Sequence, residues 1–95
     1  MPGATLKIVF RSEDWRVSSS AEIEEPLDEM LIAAGVGEIV SGGVGPTGVF
    51  FVVEVEDAAT GLPVVREALR RLGVPESTRI EGLGGSVAIY GEERQ

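Results

Sequence analysis

Two stretches of the chain stop in the same way: Leu31-Ile32-Ala33-Ala34-Gly35-Val36-Gly37-Glu38 and Leu69-Arg70-Arg71-Leu72-Gly73-Val74-Pro75-Glu76. In each, an apolar stripe at helical spacing runs into a Gly, the residue that most readily takes the left-handed backbone closing a helix. A β-rich run precedes each helix (residues 6–10 and 49–55) and a second extended segment follows it. The chain therefore reads as two strand-helix-strand halves laid end to end.

The details of the pattern sharpen this reading. Residues 5–11 alternate, with Leu6, Ile8 and Phe10 on one face and Lys7, Val9 and Arg11 on the other, as a strand with one side on a core does. Residues 12–20, with Trp15 and three consecutive serines, read as a loop. Ile23, Leu27, Met30, Leu31 and Ala34 share a helical face, and Pro26 fits a first turn, so the spacing predicts a helix from about Glu25 to Gly35. Residues 36–41 form a short second strand and residues 42–48 a Gly- and Pro-rich turn. Residues 49–56 are the strongest strand. Asp57 or Thr60 caps a second helix carrying Leu62, Val65, Leu69 and Leu72, which Gly73 stops and Pro75 keeps from resuming. Residues 78–81 and 86–90 are extended, and Gly82-Leu83-Gly84-Gly85 is either a turn between two short strands or a bulge within one. The last residues, 92–95, are expected to fray.

The order β-α-β-β-α-β predicts an α+β, ferredoxin-like fold, an antiparallel sheet with both helices on one face and an extra C-terminal strand if residues 82–85 turn. Its other face is left open, showing Lys7, Val9, Arg11, Phe50, Val52, Glu54 and Glu56. With 95 residues, 43% of them hydrophobic, the chain fits one domain spanning residues 1–95. Such a domain buries roughly 60–65% of the surface its unfolded chain exposes.

Sixteen acidic and eight basic residues give a net charge of −8, which repels phosphate backbones and anionic membranes. Nucleic acid and membrane are thus excluded as expected partners. The longest apolar run, residues 49–53, is far below the ~20 residues of a membrane span, and the first residues lack a basic-then-apolar leader pattern. A cysteine-free composition suits the reducing cytoplasm, the expected location.

Motifs with chemical associations read more simply as structure. Gly43-Val44-Gly45-Pro46-Thr47-Gly48 matches G-x-G-x-x-G, but a dinucleotide fingerprint must open a helix, and here a strand follows. Residues 47–54 have the outline of an RNA-recognition strand, yet Val and Glu stand where the stacking aromatics belong. Glu22, Glu24, Glu25, Asp28 and Glu29 cluster near a helix N-terminus, where the dipole favours carboxylates, and lack the ligand rhythm of a calcium loop. Arg66, Arg70 and Arg71 are expected to neutralise the acidic helix beside them, with Glu67 and Arg71 forming an i, i+4 pair. Ser18, Ser19 and Ser20 have no histidine to activate them, and no pair of carboxylates is marked as facing across a cleft. No catalytic residue, cofactor or metal ligand is predicted.

The run Leu27-Asp28-Glu29, Leu31, Ala34-Gly35-Val36-Gly37-Glu38-Ile39, Gly42-Gly43 and Gly45, with Leu69-Arg70-Arg71-Leu72-Gly73-Val74-Pro75 and Thr78, resembles a set of small, stand-alone, largely uncharacterised bacterial proteins. Some of these look like immunity proteins. The resemblance covers residues 22–81 and rests on helix stops and turns, so it implies a fold and carries no functional residue.

Two functional expectations follow. The first is a non-catalytic protein-interaction module, immunity-type in one version, that binds a protein partner or a second copy of itself. Its surface is the open-face set Val9, Phe50 and Val52, an apolar patch of the kind that marks an interface, or the acidic set Glu24, Glu25, Asp28 and Glu29. The second is a small-molecule sensor resembling ACT regulatory domains, with ligand at a dimer seam near residues 42–48.

Overall fold

A computed structural model of the chain describes residues 3–14, 21–46, 48–82 and 85–89. The elements are β1 (Ala4–Arg11), a single 3-10 turn (Ser12–Asp14), α1 (Ala21–Ala34), β2 (Gly37–Val44), β3 (Gly48–Val55), α2 (Ala58–Leu72), β4 (Arg79–Gly82) and β5 (Gly85–Ala88). They build one antiparallel sheet in the order β2-β3-β1-β4-β5 with both helices packed on one side, the ferredoxin-like arrangement with an added fifth strand. Trp15 and the rest of residues 15–20, Leu83, Gly84 and the tail from residue 90 lie outside the described residues.

Strand β1 pairs with β3 on one edge and β4 on the other. Leu6, Ile8 and Phe10 face the helices together with Phe51, Val53, Val55 and Ile80, and all are buried. Phe10 and Phe51 meet edge to face, with ring centroids 5.5 Å apart, a geometry the aromatic quadrupole favours. From α1 come Ile23, Leu27 and Leu31, and from α2 Val65, Ala68 and Leu69. Ile89, just past β5, is also in this core, and the Arg70 side chain on α2 donates a hydrogen bond from Nε to its carbonyl at 2.7 Å.

The repeated Gly-Val is one cap used twice. Gly35 and Gly73 have φ of 71° and 73°. Each donates its N–H to the carbonyl three residues back, and the following Val36 or Val74 donates to the carbonyl five back. This is the Schellman pattern, and its accompanying apolar contact is supplied by those two buried valines.

Several boundaries differ from the sequence expectation. Helix α1 begins at Ala21, which places Pro26 inside it. Pro26 forfeits the helical bond to the Glu22 carbonyl, but the earlier start lets Ile23 join Leu27 and Leu31 in the core. Burying an isoleucine stabilises by about 2 kcal/mol, more than one net backbone hydrogen bond. Strand β2 runs on to Val44, taking in Gly42 and Gly43 from the expected turn. Between β2 and β3, Gly45 and Gly48 exchange backbone hydrogen bonds of 2.7 and 3.3 Å. Asp57 occupies the N-cap position of α2, yet its carboxylate accepts the Thr60 hydroxyl at 2.7 Å and makes no side-chain cap bond. Gly82 pairs with Gly85, so β4 and β5 are two antiparallel strands and not one bulged strand.

Strand β2 is an edge strand with a bulge between Ile39 and Ser41. Before the bulge Gly37 and Ile39 oppose the core residues Val55 and Val53; after it Gly42 and Val44 oppose Phe51 and Val49. The extra residue thus resets the alternation. Beside it the Ile39 N–H donates to Asp28 Oδ1 at 2.9 Å, tying α1 to the sheet edge.

This contact and one buried hydroxyl yield two stability predictions. Asp28→Ala should lower the urea-unfolding free energy by about 1–2 kcal/mol, the cost of stranding a part-buried N–H. Glu25→Ala, an exposed neighbour, should stay within about 0.5 kcal/mol. Thr78 is fully buried and its Oγ1 has no hydrogen-bond partner among the described residues. Thr78→Val, which removes that stranded oxygen at constant shape, should leave stability unchanged or raise it by up to about 1 kcal/mol. A clear loss in thermal melting would show that the hydroxyl is bonded.

Candidate interaction surface

The face of the sheet away from the helices can be read row by row from the strand register. Glu38, Glu54 and Thr5 share one row across β2, β3 and β1. The next holds Ser41, Val52, Lys7, Glu81 and Ser86, and the one after it Gly43, Phe50, Val9 and Arg79. Gly48 and Arg11 end the face. The three apolar residues anticipated here come together: Val9 is directly opposite Phe50, and Val52 follows Phe50 on the same face of β3. All three are half-buried.

Phe50 is held from two sides. The Lys7 Nζ stands 4.8 Å from the ring centroid, a cation–π contact worth about 0.5–1 kcal/mol at an exposed site. On the other side the ring lies against β2, where a Cβ at Gly43 would come within 3.1 Å of Phe50 Cζ. Gly43 is therefore part of the seat of this aromatic ring, a packing reason for a glycine in the G-x-G-x-x-G match.

Charge around the apolar centre is sorted by end. Glu38 and Glu54 occupy one end; Arg11 and Arg79 lie toward the other, with Lys7 and Glu81 opposite one another between them. All six side chains are exposed. Arg11 is engaged by Glu13 at 2.8 Å, while Arg79 has no ion pair among the described residues. At this basic end Val9, Arg11, Ser12, Pro46, Ser77 and Arg79, with Glu13 and Glu81, line a concavity of about 470 Å³. Glu56, expected on the face, lies just past the end of β3, where its N–H donates to the Val36 carbonyl at 3.0 Å.

The sequence pattern did not bring Arg79 and Glu81 to this surface. Strand β4 has four residues with a single buried apolar side chain, Ile80, to mark its core face. Their placement comes from pairing, Arg79 with Val9 and Glu81 with Lys7.

The acidic set lies on the opposite side of the domain, on α1. Glu25 and Glu29 are exposed, Glu24 and Asp28 half-buried. Asp28 differs from the other three because its carboxylate holds the Ile39 N–H. The expected neutralisation by α2 is corrected for two of its arginines. Arg70 and Arg71 pair with Glu67 of their own helix, at 3.8 and 3.3 Å, the second being the anticipated i, i+4 pair. Between the helices lies a mostly apolar groove of about 510 Å³, floored by Met30, Ala33 and Ala34 on one side and by Pro63, Val64 and Ala68 on the other.

Among the described residues no group of three or more Asp or Glu side chains is placed to hold a metal ion, and no helix is long and apolar enough to cross a membrane. No protein family, curated protein or solved structure matches the chain.

Proposed function

We propose that the chain is a non-catalytic protein-interaction module of the cytoplasm that binds through the open face of its sheet. The observation that carries this reading is the Val9–Phe50–Val52 patch, half-buried within the domain and ringed by exposed charges. An apolar centre inside a polar rim is the usual anatomy of an interface. Phe50 supplies an aromatic anchor whose orientation is fixed in advance by Lys7 and Gly43, so little conformational entropy is lost when a partner covers it.

The acidic helix supports a second docking version, immunity-type in character, in which a basic partner meets Glu24, Glu25 and Glu29. Asp28 is left out of that set because its carboxylate already serves the fold. The sensor reading draws on a different observation: the concavity beside Pro46 has Arg11, paired with Glu13, and Arg79 in its wall with Glu81, and of these Arg79 suits a small carboxylate or phosphate.

Binding assays separate these. With the tagged chain as bait, Phe50→Glu with Val52→Glu should abolish partner recovery while the circular dichroism spectrum is kept, since both side chains reach the surface. Recovery unchanged by this double variant would remove the open-face reading. A Glu24→Lys, Glu25→Lys, Glu29→Lys variant should bind as well as wild type; lost binding with weakened salt dependence would move the interface to α1. Under the sensor reading, a small anion should raise the melting temperature, and Arg79→Ala should cancel that rise.

A further inference from the structure

The open face is charged at its two ends with opposite signs, and this pattern is complementary to itself. We propose that a second copy of this chain is the occupant of the face, packed sheet to sheet about a two-fold axis that lies in the interface and crosses the strands. The inference rests on the reading of this face as an interaction surface and adds the identity of its partner.

The register gives the geometry. Glu54 pairs with Thr5, and Arg11 with Gly48, so Glu54 and Arg11 stand at opposite ends of the neighbouring strands β3 and β1. At a rise of ~3.4 Å per residue the six-residue step from one row to the other spans roughly 20 Å. The midpoint falls among Val52, Lys7, Phe50 and Val9. An in-plane two-fold through that point, running across the strands, lays Arg11 of each copy over the Thr5 row of the other, one strand spacing of ~4.8 Å from Glu54 and within reach of the long arginine side chain. The same operation turns Arg79 toward the second copy's Glu81, because these two residues flank the midpoint along β4. Near the axis Phe50 of each copy meets Val52 of the other, and the Lys7 stem of each lies against the other's Val9. A two-fold running along the strands would instead stack the Glu38–Glu54 row on itself, and like charges facing each other across an interface cost several kcal/mol. The charge pattern therefore selects one orientation.

The edge of β2 is a poorer route to a dimer. Its Ile39 N–H is taken by Asp28, and the bulge between Ile39 and Ser41 bends the strand, both of which blunt an edge against strand addition. On the open face, four strands by six residues offer on the order of 400 Å² per copy, about half of a standard stable interface. The dimer is accordingly weak and reversible, and its formation follows concentration and salt.

Sedimentation equilibrium of the full chain tests this, using two exposed single variants, Arg11→Glu and Glu54→Arg. Wild type should dimerise with increasing concentration and dissociate as salt rises from about 0.05 to about 0.5 M. Each variant alone should dimerise at least about tenfold more weakly, because each brings like charges together at both ends of the interface. An equimolar mixture of the two should form a heterodimer within about threefold of wild-type affinity, since every contact is then between opposite charges. That rescue depends on the crossing orientation and would not follow from a general change in net charge. A wild type that stays monomeric to about 1 mM, variants that dimerise like wild type, or a mixture without rescue would each overturn the proposal. If wild type is monomeric while Phe50→Glu with Val52→Glu still abolishes recovery of a different protein, the face remains an interface and only the second copy is ruled out. Circular dichroism melts confirm that each variant is folded before it is weighed, and Arg79→Glu with Glu81→Arg as separate chains provides an independent second pair.

Discussion

Strand β1 is hydrogen-bonded along both edges, and the rest of the molecule takes its orientation from it. Its side chains alternate without exception, Leu6, Ile8 and Phe10 toward the helices and Lys7, Val9 and Arg11 away from them. Moving its register by one residue would bury two cations and expose the three apolar side chains, each worth about 1.5–3 kcal/mol when buried. That penalty fixes which face of the sheet is core. Once it is fixed, β3 and β4 must present Phe51, Val53, Val55 and Ile80 to the same side. Phe50, Val52, Arg79 and Glu81 are left on the other.

The two faces then obey different rules. The covered face is continuous and apolar, and the helices reach it because each is stopped by the same Gly-Val cap and sent back into a strand. The uncovered face is only apolar at its centre. There Phe50 is seated by a cation and a glycine instead of by a core, and this keeps a large aromatic ordered without hiding it. The open face combines a seated aromatic ring with charges sorted by end, while on α2 Arg70 and Arg71 both pair with Glu67 of their own helix.

Asp28 illustrates how one side chain can change the meaning of a sequence cluster. Along the chain it is one of five carboxylates with nothing to distinguish it from Glu24 or Glu29. In the fold, β2 returns beside α1, and Asp28 accepts the Ile39 N–H next to the bulge. It is a residue of the structure more than of the acidic surface, and charge alone is a poor guide to which members of such a cluster are available to a partner.

The element order as far as β4, the two helix stops, the core face of β1 and β3, and the shared face of Val9, Phe50 and Val52 are legible along the chain. These follow from short-range rules, alternation every two residues, apolar spacing near 3.6 and the left-handed preference of Gly, all expressed within a few residues of chain. The early start of α1, the length of β2 and its bulge, the separate β5, the Asp28–Ile39 contact and the arrival of Arg79 and Glu81 beside Lys7 and Val9 emerge from packing and pairing. Each of these depends on residues brought together from distant parts of the chain. The start of α1 turns on whether Ile23 finds a core to enter, and the face of a four-residue strand is set by its neighbour's register. The opposed charges at the two ends of the open face belong to this second group, because Arg11, Glu54, Arg79 and Glu81 acquire a spatial order only when β3, β1 and β4 are paired.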